Sequence, residues 1–290
     1  MEEEKKYLVV DGNNLLYSSY HVSQKLTWKM KNGTIFFFLR VLISVLKKGN
    51  YQKLLITFDG GGTNFRETLL PQYKAQRISM PDELWKQLGE LKILLEKIGI
   101  TYIQMIDCEA DDLIASFVVQ SKKAHPAAVF DIFTRDKDLL QLLGENVNIL
   151  KYIEGKITHY TFNQFCQEYN FLPSNYLDYL SLLGDNVDNI AGIKGVGPVI
   201  ARKLIQQFEN AENIYKNLTN LPKNTEKLLE NQHELVFANK KIISLVTNIL
   251  LAPDLCQKCE FNWEQWKNNE QLKKFCQENR FNSILKLLNQ

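Results

Sequence analysis

Acidic residues gather at the ends of apolar runs in the first half of this chain. Asp11 closes the run Tyr7 to Val10, and Asp59 closes Leu54 to Phe58. Glu109-Ala110-Asp111-Asp112 follows Ile100 to Met105, while Asp136 and Asp138 follow Val129 to Phe133. If those runs are strands of an open α/β sheet, their carboxyl ends face one crevice, and six or seven carboxylates converge there. Like charges that close raise one another's pKa or call for cations, and oxygen donors suit hard divalent ions, magnesium first. An Asp after a strand also caps the next helix or favours its dipole. Capping needs one acid per helix start, however, whereas two of these clusters supply more than one. A further cluster, Gly184-Asp185-Asn186-Val187-Asp188-Asn189, sets two acids three apart, on one face if the segment is helical. That spacing suits a second metal.

Directly downstream runs Gly192-Ile193-Lys194-Gly195-Val196-Gly197-Pro198, then Arg202-Lys203. Glycines two apart allow a sharp turn that presents N–H groups, and Pro198 suits the first position of a following helix. The pattern reads as a helix-hairpin-helix between about 184 and 204, which grips phosphates without reading bases, with Lys194, Arg202 and Lys203 adding charge. An ordinary Gly-rich turn is the plainer alternative. A second basic stretch, Asn64 to Arg77, interleaves Arg66, Lys74 and Arg77 with Phe65 and Tyr73 just after Gly60-Gly61-Gly62. Cations beside aromatics suit single-stranded nucleic acid, and the glycines predict a hinge. A solvated surface helix would also show such charge.

These residues need a frame. Strands are expected at Tyr7–Val10, Leu54–Phe58, Ile100–Met105, Val129–Phe133 and Val147–Tyr152, alternating with helices near Ile35–Lys47, Asp82–Ile98 and Asp111–Lys122. That alternation predicts an α/β fold with a mostly parallel sheet flanked by helices. Strand signals fade after Phe162, so the chain divides near Pro173 into an α/β catalytic domain, 1–172, and a helical region, 173–290. With 290 residues and 45% hydrophobic content the chain can build a sizeable core. A net charge of +2 neither requires nor excludes a polyanionic partner. Five scattered cysteines point to a reduced, intracellular protein, and the lone Cys256-x-x-Cys259 lacks partners for a zinc site. No signal core or membrane-length apolar run is present, which predicts a cytoplasmic protein with no membrane partner.

Together the motifs resemble the flap endonuclease-like 5′-nucleases, most closely the 5′→3′ exonuclease domain of bacterial DNA polymerase I in a stand-alone form. The resemblance runs through Val10-Asp11-Gly12, Phe58-Asp59, Phe65-Arg66, Tyr73-Lys74-Ala75, Glu109 to Asp112, Asp136-Lys137-Asp138, Gly184 to Asn189 and the hairpin Gly192 to Ala201. Ser18 stands where many relatives carry Arg, and Val199-Ile200 replaces a common Lys-Thr pair. The resemblance implies a PIN-like fold, nine inward carboxylates for two divalent ions (Mg2+ or Mn2+), a helical arch near 60–85, and a helix-three-turn-helix element that often holds K+. It implies Asp59, Glu109, Asp111, Asp112 and Asp136 around the first metal and Asp138, Asp185 and Asp188 around the second, with Asp11 acting directly or through water. Lys74, Arg66 and Arg77 would touch the phosphate, and Tyr73, Lys74, Lys194, Gly195, Val196, Gly197, Arg202 and Lys203 would contact DNA. The implied function is 5′→3′ exonuclease or flap endonuclease action by a monomer on DNA with 5′ flaps, nicks or ends, RNA–DNA hybrid 5′ ends included, in Okazaki-fragment processing and repair. Two alternatives are a PIN-like ribonuclease and a non-catalytic helix-hairpin-helix DNA-binding module.

Overall fold

The computed structural model describes residues 5–26, 30–77 and 79–289. Its centre is a six-stranded sheet formed by β1 (Lys6–Asp11), β2 (Lys53–Asp59), β3 (Tyr102–Met105), β4 (Val129–Phe133), β5 (Val147–Ile153) and β6 (Lys156–Tyr160). The order is β3-β2-β1-β4-β5-β6, with the first five strands parallel and β6 antiparallel at one edge. β1 therefore lies at the middle, paired with β2 and β4, so the carboxyl ends of those three strands are neighbours.

Alternation along the strands splits the core in two. Leu8, Val10, Leu54, Ile56 and Phe58 face helices α1 (Gly12–Gln24), α2 (Gly33–Gly49) and α4 (Asp82–Lys97), while Tyr7, Val9, Leu55, Phe130 and Ile132 face α5 (Ala110–Ala124) and the second half of the chain. A parallel sheet covered on both faces needs this near-continuous apolar run in each strand. Between β2 and α4 the expected helical arch is one short helix, α3 (Phe65–Leu69), followed by turns. Nor is the triple glycine a hinge: Gly60 N–H donates to Cys108 O (2.9 Å) and Asp107 N–H to Gly61 O (2.8 Å), pinning the exits of β2 and β3 together. A Cβ on Gly60 would stand 1.5 Å from Met105 O, so glycine serves this close backbone approach.

The second half begins with α6 (Phe162–Tyr169) and α7 (Tyr176–Leu183), then a two-stranded hairpin, β7 (Gly184–Asp185) and β8 (Ile190–Ala191). Next come α8 (Pro198–Phe208), α9 (Ala211–Lys216), α10 (Lys223–Leu229) and α11 (His233–Ile243). Of the remaining helices, α12 (Leu255–Lys258) keeps Leu255 in the core shared with the hairpin region, whereas α13 (Trp263–Trp266), α14 (Glu270–Glu278) and α15 (Asn282–Leu288) leave it. Trp266, Leu272, Cys276, Phe281, Ile284 and Leu288 join the core of α2 and α4, and Phe281 packs edge-on against Phe36 with centroids 5.1 Å apart. The chain thus returns to cover the face it began.

Candidate active site

Four acids converge at the carboxyl ends of the central strands. Asp11 caps α1: its Oδ1 accepts from Asn14 N–H and its Oδ2 from the Thr134 hydroxyl, both at 2.9 Å. Asp59 accepts the Ala110 N–H at the start of α5 (2.8 Å) and the Asn13 amide (2.5 Å). Asp111 sits in the first turn of α5, and Asp136 follows β4 with Oδ1 accepting the Asp138 N–H at 2.8 Å. Capping thus describes part of what Asp11 does, but all four also line one crevice of about 550 Å3, with Lys74 and Arg77 at its wall.

The electrostatics are those of a charge trap. Burial pushes the Asp11 carboxyl up to about 7, with Asp59 and Asp136 adding repulsion over the hydrogen bonds that oppose it. Burial, then Asp136 and Asp11, raises Asp111 well above the carboxylate range, and burial likewise raises Asp59 and Asp136. Asp138 rises to about 7, first through burial and then through Asp136. Each shift says that the ionised form lacks compensation. A hard cation supplies it, and carboxylate oxygen is the donor such ions take. Asp138, Asp185 and Asp188 each bring an oxygen within 4.8 Å of the others, which fits a cation too. That grouping is made by the β7–β8 hairpin and not by the helix the spacing suggested: Asp185 Oδ1 accepts the Val187 N–H (2.8 Å), and Gly184 and Asn189 turn the chain at φ 68° and 60°.

Asp112 stands apart from this group, while Glu109 lines a narrow cleft with Asp111, Asp138 and Asp188 but is held by bases. Both Asp112 oxygens receive the Arg66 guanidinium, at 2.6 and 2.8 Å, and Oδ1 also accepts the Val246 N–H at 2.8 Å. Arg66 is 3% exposed and donates further to the carbonyls of Ile242 (2.7 Å) and Ser244 (2.9 Å). The expectation that Arg66 touches a phosphate, and that Asp112 is a metal ligand, meets a clasp that occupies both. Neither residue lines the crevice. Glu109 accepts from Lys74 Nζ (2.8 Å), Asn64 (2.9 Å) and the Tyr73 hydroxyl (3.2 Å), with Arg66 at 3.3 Å. Burial alone would raise Glu109, but Lys74 and Arg66 outweigh it and hold the group below its ordinary value.

The basic segment is similarly divided. Lys74 and Arg77 reach the crevice wall, Arg77 pairing with Asp188 Oδ1 at 2.7 Å and the Lys74 N–H donating to Asp188 O at 3.1 Å. Tyr73, expected to contact DNA, is buried against Glu109 and offers no open ring. In the hairpin, Lys194, Gly195 and Lys203 are exposed and Gly197 is half-buried. Val196 is not available: its side chain is buried and its N–H donates to Ile193 O at 3.0 Å. Arg202 stacks over Tyr169, 5.1 Å from the ring centre, and donates to Glu168 O at 3.1 Å, which ties it to α6. Sequence reasoning missed Asn13 and Thr134, which orient the acids, and Tyr17, His21 and Lys25, which line the crevice. The last three recur four apart, Tyr17 and His21 on α1 and Lys25 at its C-terminal cap, a helical period that marks one face.

A doubly covered parallel sheet with an acid-lined crevice at its carboxyl edge, joined to a glycine hairpin and helices, defines a nuclease that works through metal ions. Residues 6–170 match the 5′-3′ exonuclease N-terminal resolvase-like domain, and residues 171–269 match the 5′-3′ exonuclease C-terminal SAM fold. The chain belongs to the 5′-3′ exonuclease family. It is 31% identical to the 5′-3′ exonuclease of Mycoplasma genitalium over 97% of this chain and 98% of that one. It is also 31% identical to DNA polymerase I of Caldicellulosiruptor bescii, over 98% of this chain but 33% of the polymerase. Among solved structures, T5 5′-exonuclease with bound zinc superposes with a TM-score of 0.68 at 23% identity, covering 98% of this chain and 100% of that one. The catalytic core of Rad2 in complex with DNA substrate gives 0.64 at 20% identity, covering 98% and 92%. Those two likenesses concern the fold. Among the described residues no helix is long and apolar enough to cross a membrane.

Proposed function

We propose that this 5′-3′ exonuclease cleaves DNA at 5′ flaps, nicks and ends, RNA–DNA hybrid 5′ ends included, as a cytoplasmic monomer in Okazaki-fragment processing and repair. The observation that carries the reading is the set of four acids, buried Asp11 and half-buried Asp59, Asp111 and Asp136, whose carboxyls are held above their ordinary range in one open crevice. Asp11, Asp59, Asp111 and Asp136 would hold one divalent ion, magnesium or manganese, and Asp138, Asp185 and Asp188 would hold the second. Divalent ions at these carboxylates would supply charge neutralisation at the phosphate and a more acidic water. Glu109 stores Lys74 beside the crevice, and Lys74 and Arg77 stabilise charge developing on the phosphate. Exposed Lys194, Gly195 and Lys203, with Gly197 at the start of α8, hold the duplex backbone, with a potassium ion at the hairpin. That T5 flap endonuclease has been solved with DNA and metal ions supports the substrate class.

Matched DNA and RNA flaps, a gap and a nick, each labelled at the 5′ end, test this in magnesium, manganese and chelator. Cleavage near the 5′ end of the DNA substrates, leaving 5′-phosphates and abolished by chelator, is expected. Preferential RNA cleavage or metal-independent turnover would refute the reading.

A further inference from the structure

The cations of the chain that stand among the acids are held in two different ways. Arg66 is buried, meets both oxygens of Asp112 and donates to two carbonyls besides, which fixes it in place. Lys137 is different. It lies between Asp136 and Asp138, just before the short 3-10 turn Asp138–Leu142, and its Nζ stands 3.1 Å from Asp185 Oδ2. The lysine side chain is 46% exposed, so this single contact is of the weak kind that ions exchange. The other oxygen of Asp185 accepts the Val187 N–H at 2.8 Å. Asp188 is held in the same manner, its Oδ1 taking the exposed Arg77 at 2.7 Å. Lys137 thus sets one positive charge on an acid of the Asp138, Asp185 and Asp188 group, whose oxygens lie close enough to share a cation.

We propose that Lys137 is exchanged between two anions: it holds Asp185 until a divalent ion takes the hairpin acids, and it then passes to a backbone phosphate of the DNA. The inference rests on the reading that DNA and a second ion meet at this group. An ammonium on the same carboxylate as a divalent ion is repelled by it, and the flexible four-carbon stem lets the charge leave without moving the backbone. The carboxylates whose charges favour the Lys137 ammonium are Asp185, Asp138 and Asp136, the ones that bound ions would neutralise. No acid of that set is left to receive it. A polyanion entering the crevice supplies the replacement. Ion and DNA then assist each other through one side chain, as linked equilibria require.

The test uses the full chain with a labelled 5′-flap DNA, in chelator and in calcium, a hard ion for oxygen donors that stands in for magnesium. Lys137→Met keeps the stem without the charge, and Lys137→Arg keeps the charge. In chelator both variants should bind the flap within about twofold of wild type, because the charge is spent on Asp185; this arm also reports intact folding. In calcium Lys137→Met should bind about fivefold more weakly than wild type, as loss of one exposed ion pair implies. Its slope of log affinity against log salt should be shallower by about 0.9, the mark of one phosphate contact. Lys137→Arg should match wild type. Calorimetry without DNA should show Lys137→Met taking calcium about two- to fivefold more tightly, since a competing cation is gone. Equal losses of DNA affinity in chelator and calcium would make Lys137 an ordinary phosphate contact and overturn the exchange. No loss in either, or weaker calcium binding by Lys137→Met, would overturn it too. Cleavage by the wild type in magnesium is measured separately: its absence would sink the nuclease reading, while the calcium and salt series would still decide the role of Lys137.

Discussion

Two groups of acids sit within one turn of α5, yet they are treated oppositely. Asp111 faces the crevice with Asp11 and Asp136 as charged neighbours, and its carboxyl is raised; Asp112 points the other way and is gripped by Arg66 on both oxygens. Neighbouring Glu109, with Lys74 and Arg66 beside it, is held below its ordinary value. One group is held by cations of the chain, and the other keeps its carboxyls raised although Lys74 and Arg77 stand at the crevice wall. The lesson is that abundance of carboxylates does not define a metal site; what marks one is a cluster whose burial and mutual repulsion outweigh the compensation that Lys74, Arg77 and Lys137 give.

The largest expected effect breaks the paired group. Arg66→Ala leaves Asp112 buried without its partner and should cost about 3–5 kcal/mol, read as a fall in denaturation midpoint. A loss below about 1 kcal/mol, the range of surface pairs, would show that the clasp is not structural. Next comes Asp111→Asn, which removes a crevice charge and a hard ligand while keeping the shape. Single-turnover cleavage in magnesium should fall beyond the ~10–100-fold that outer-shell partners cost. Metal-free flap binding should hold or tighten, since unit charges 4 Å apart repel by about 1 kcal/mol even in water. Near-normal cleavage would make Asp111 a helix-start acid and nothing more. Lys74→Ala should slow single-turnover cleavage by about 10²-fold or more while duplex affinity barely moves, as expected of a group that stabilises developing charge. If the rate stays within about twofold, Lys74 serves only Glu109.

A smaller effect should appear in the pH dependence of stability in chelator. The folded pKa values of Asp11 and Asp138, about 7, lie above those of free carboxyls, so the folded state binds more protons than the unfolded one between about 4 and 7. Stability contributed by these groups is present below about pH 4 and lost as pH rises through about 7. Thermal melts of the metal-free protein should therefore fall from pH 5 to pH 8, and magnesium should offset the fall. A melt that rises over that interval would mean that these acids are already compensated. The smallest change is at the hairpin. Gly195 stands at φ 89° with Leu228 Cδ2 2.9 Å from where a Cβ would lie, so Gly195→Val should strain the turn by of order 1–3 kcal/mol. Duplex affinity should weaken with a shallower salt dependence, whereas unchanged binding would remove the hairpin from the interface.

Much of the frame was legible because burial on both faces imposes long apolar strands, and β1, β2, β4 and β5 lie within a residue or so of the expected runs. The edge strand β6 was missed. Lys156-Ile157-Thr158-His159-Tyr160 is half solvated, so it lacks the apolar signal of its neighbours. The crevice acids could be placed from their position after strands, since topology carries them to one edge. What spacing could not reveal was pairing across distance: Arg66 meets Asp112 and the carbonyls of Ile242 and Ser244, contacts set by tertiary packing. For the same reason Tyr73 and Arg202 looked like DNA contacts, although Glu109 and Tyr169 occupy them. The glycine run was read as freedom because local sequence cannot show a backbone passing at 1.5 Å from a built Cβ.

The return of α14 and α15 to the face made by α2 and α4 has a consequence for how the molecule comes into being. Contacts joining distant stretches of chain form late, because loop closure must precede them. The acids of the crevice come from β1 through β8, the Arg66 clasp needs the end of α11, and the face that α2 and α4 turn to the last helices stays uncovered until Phe281 and Ile284 are made. During synthesis, then, the packing around the crevice is complete only after Phe281 and Ile284 have been made.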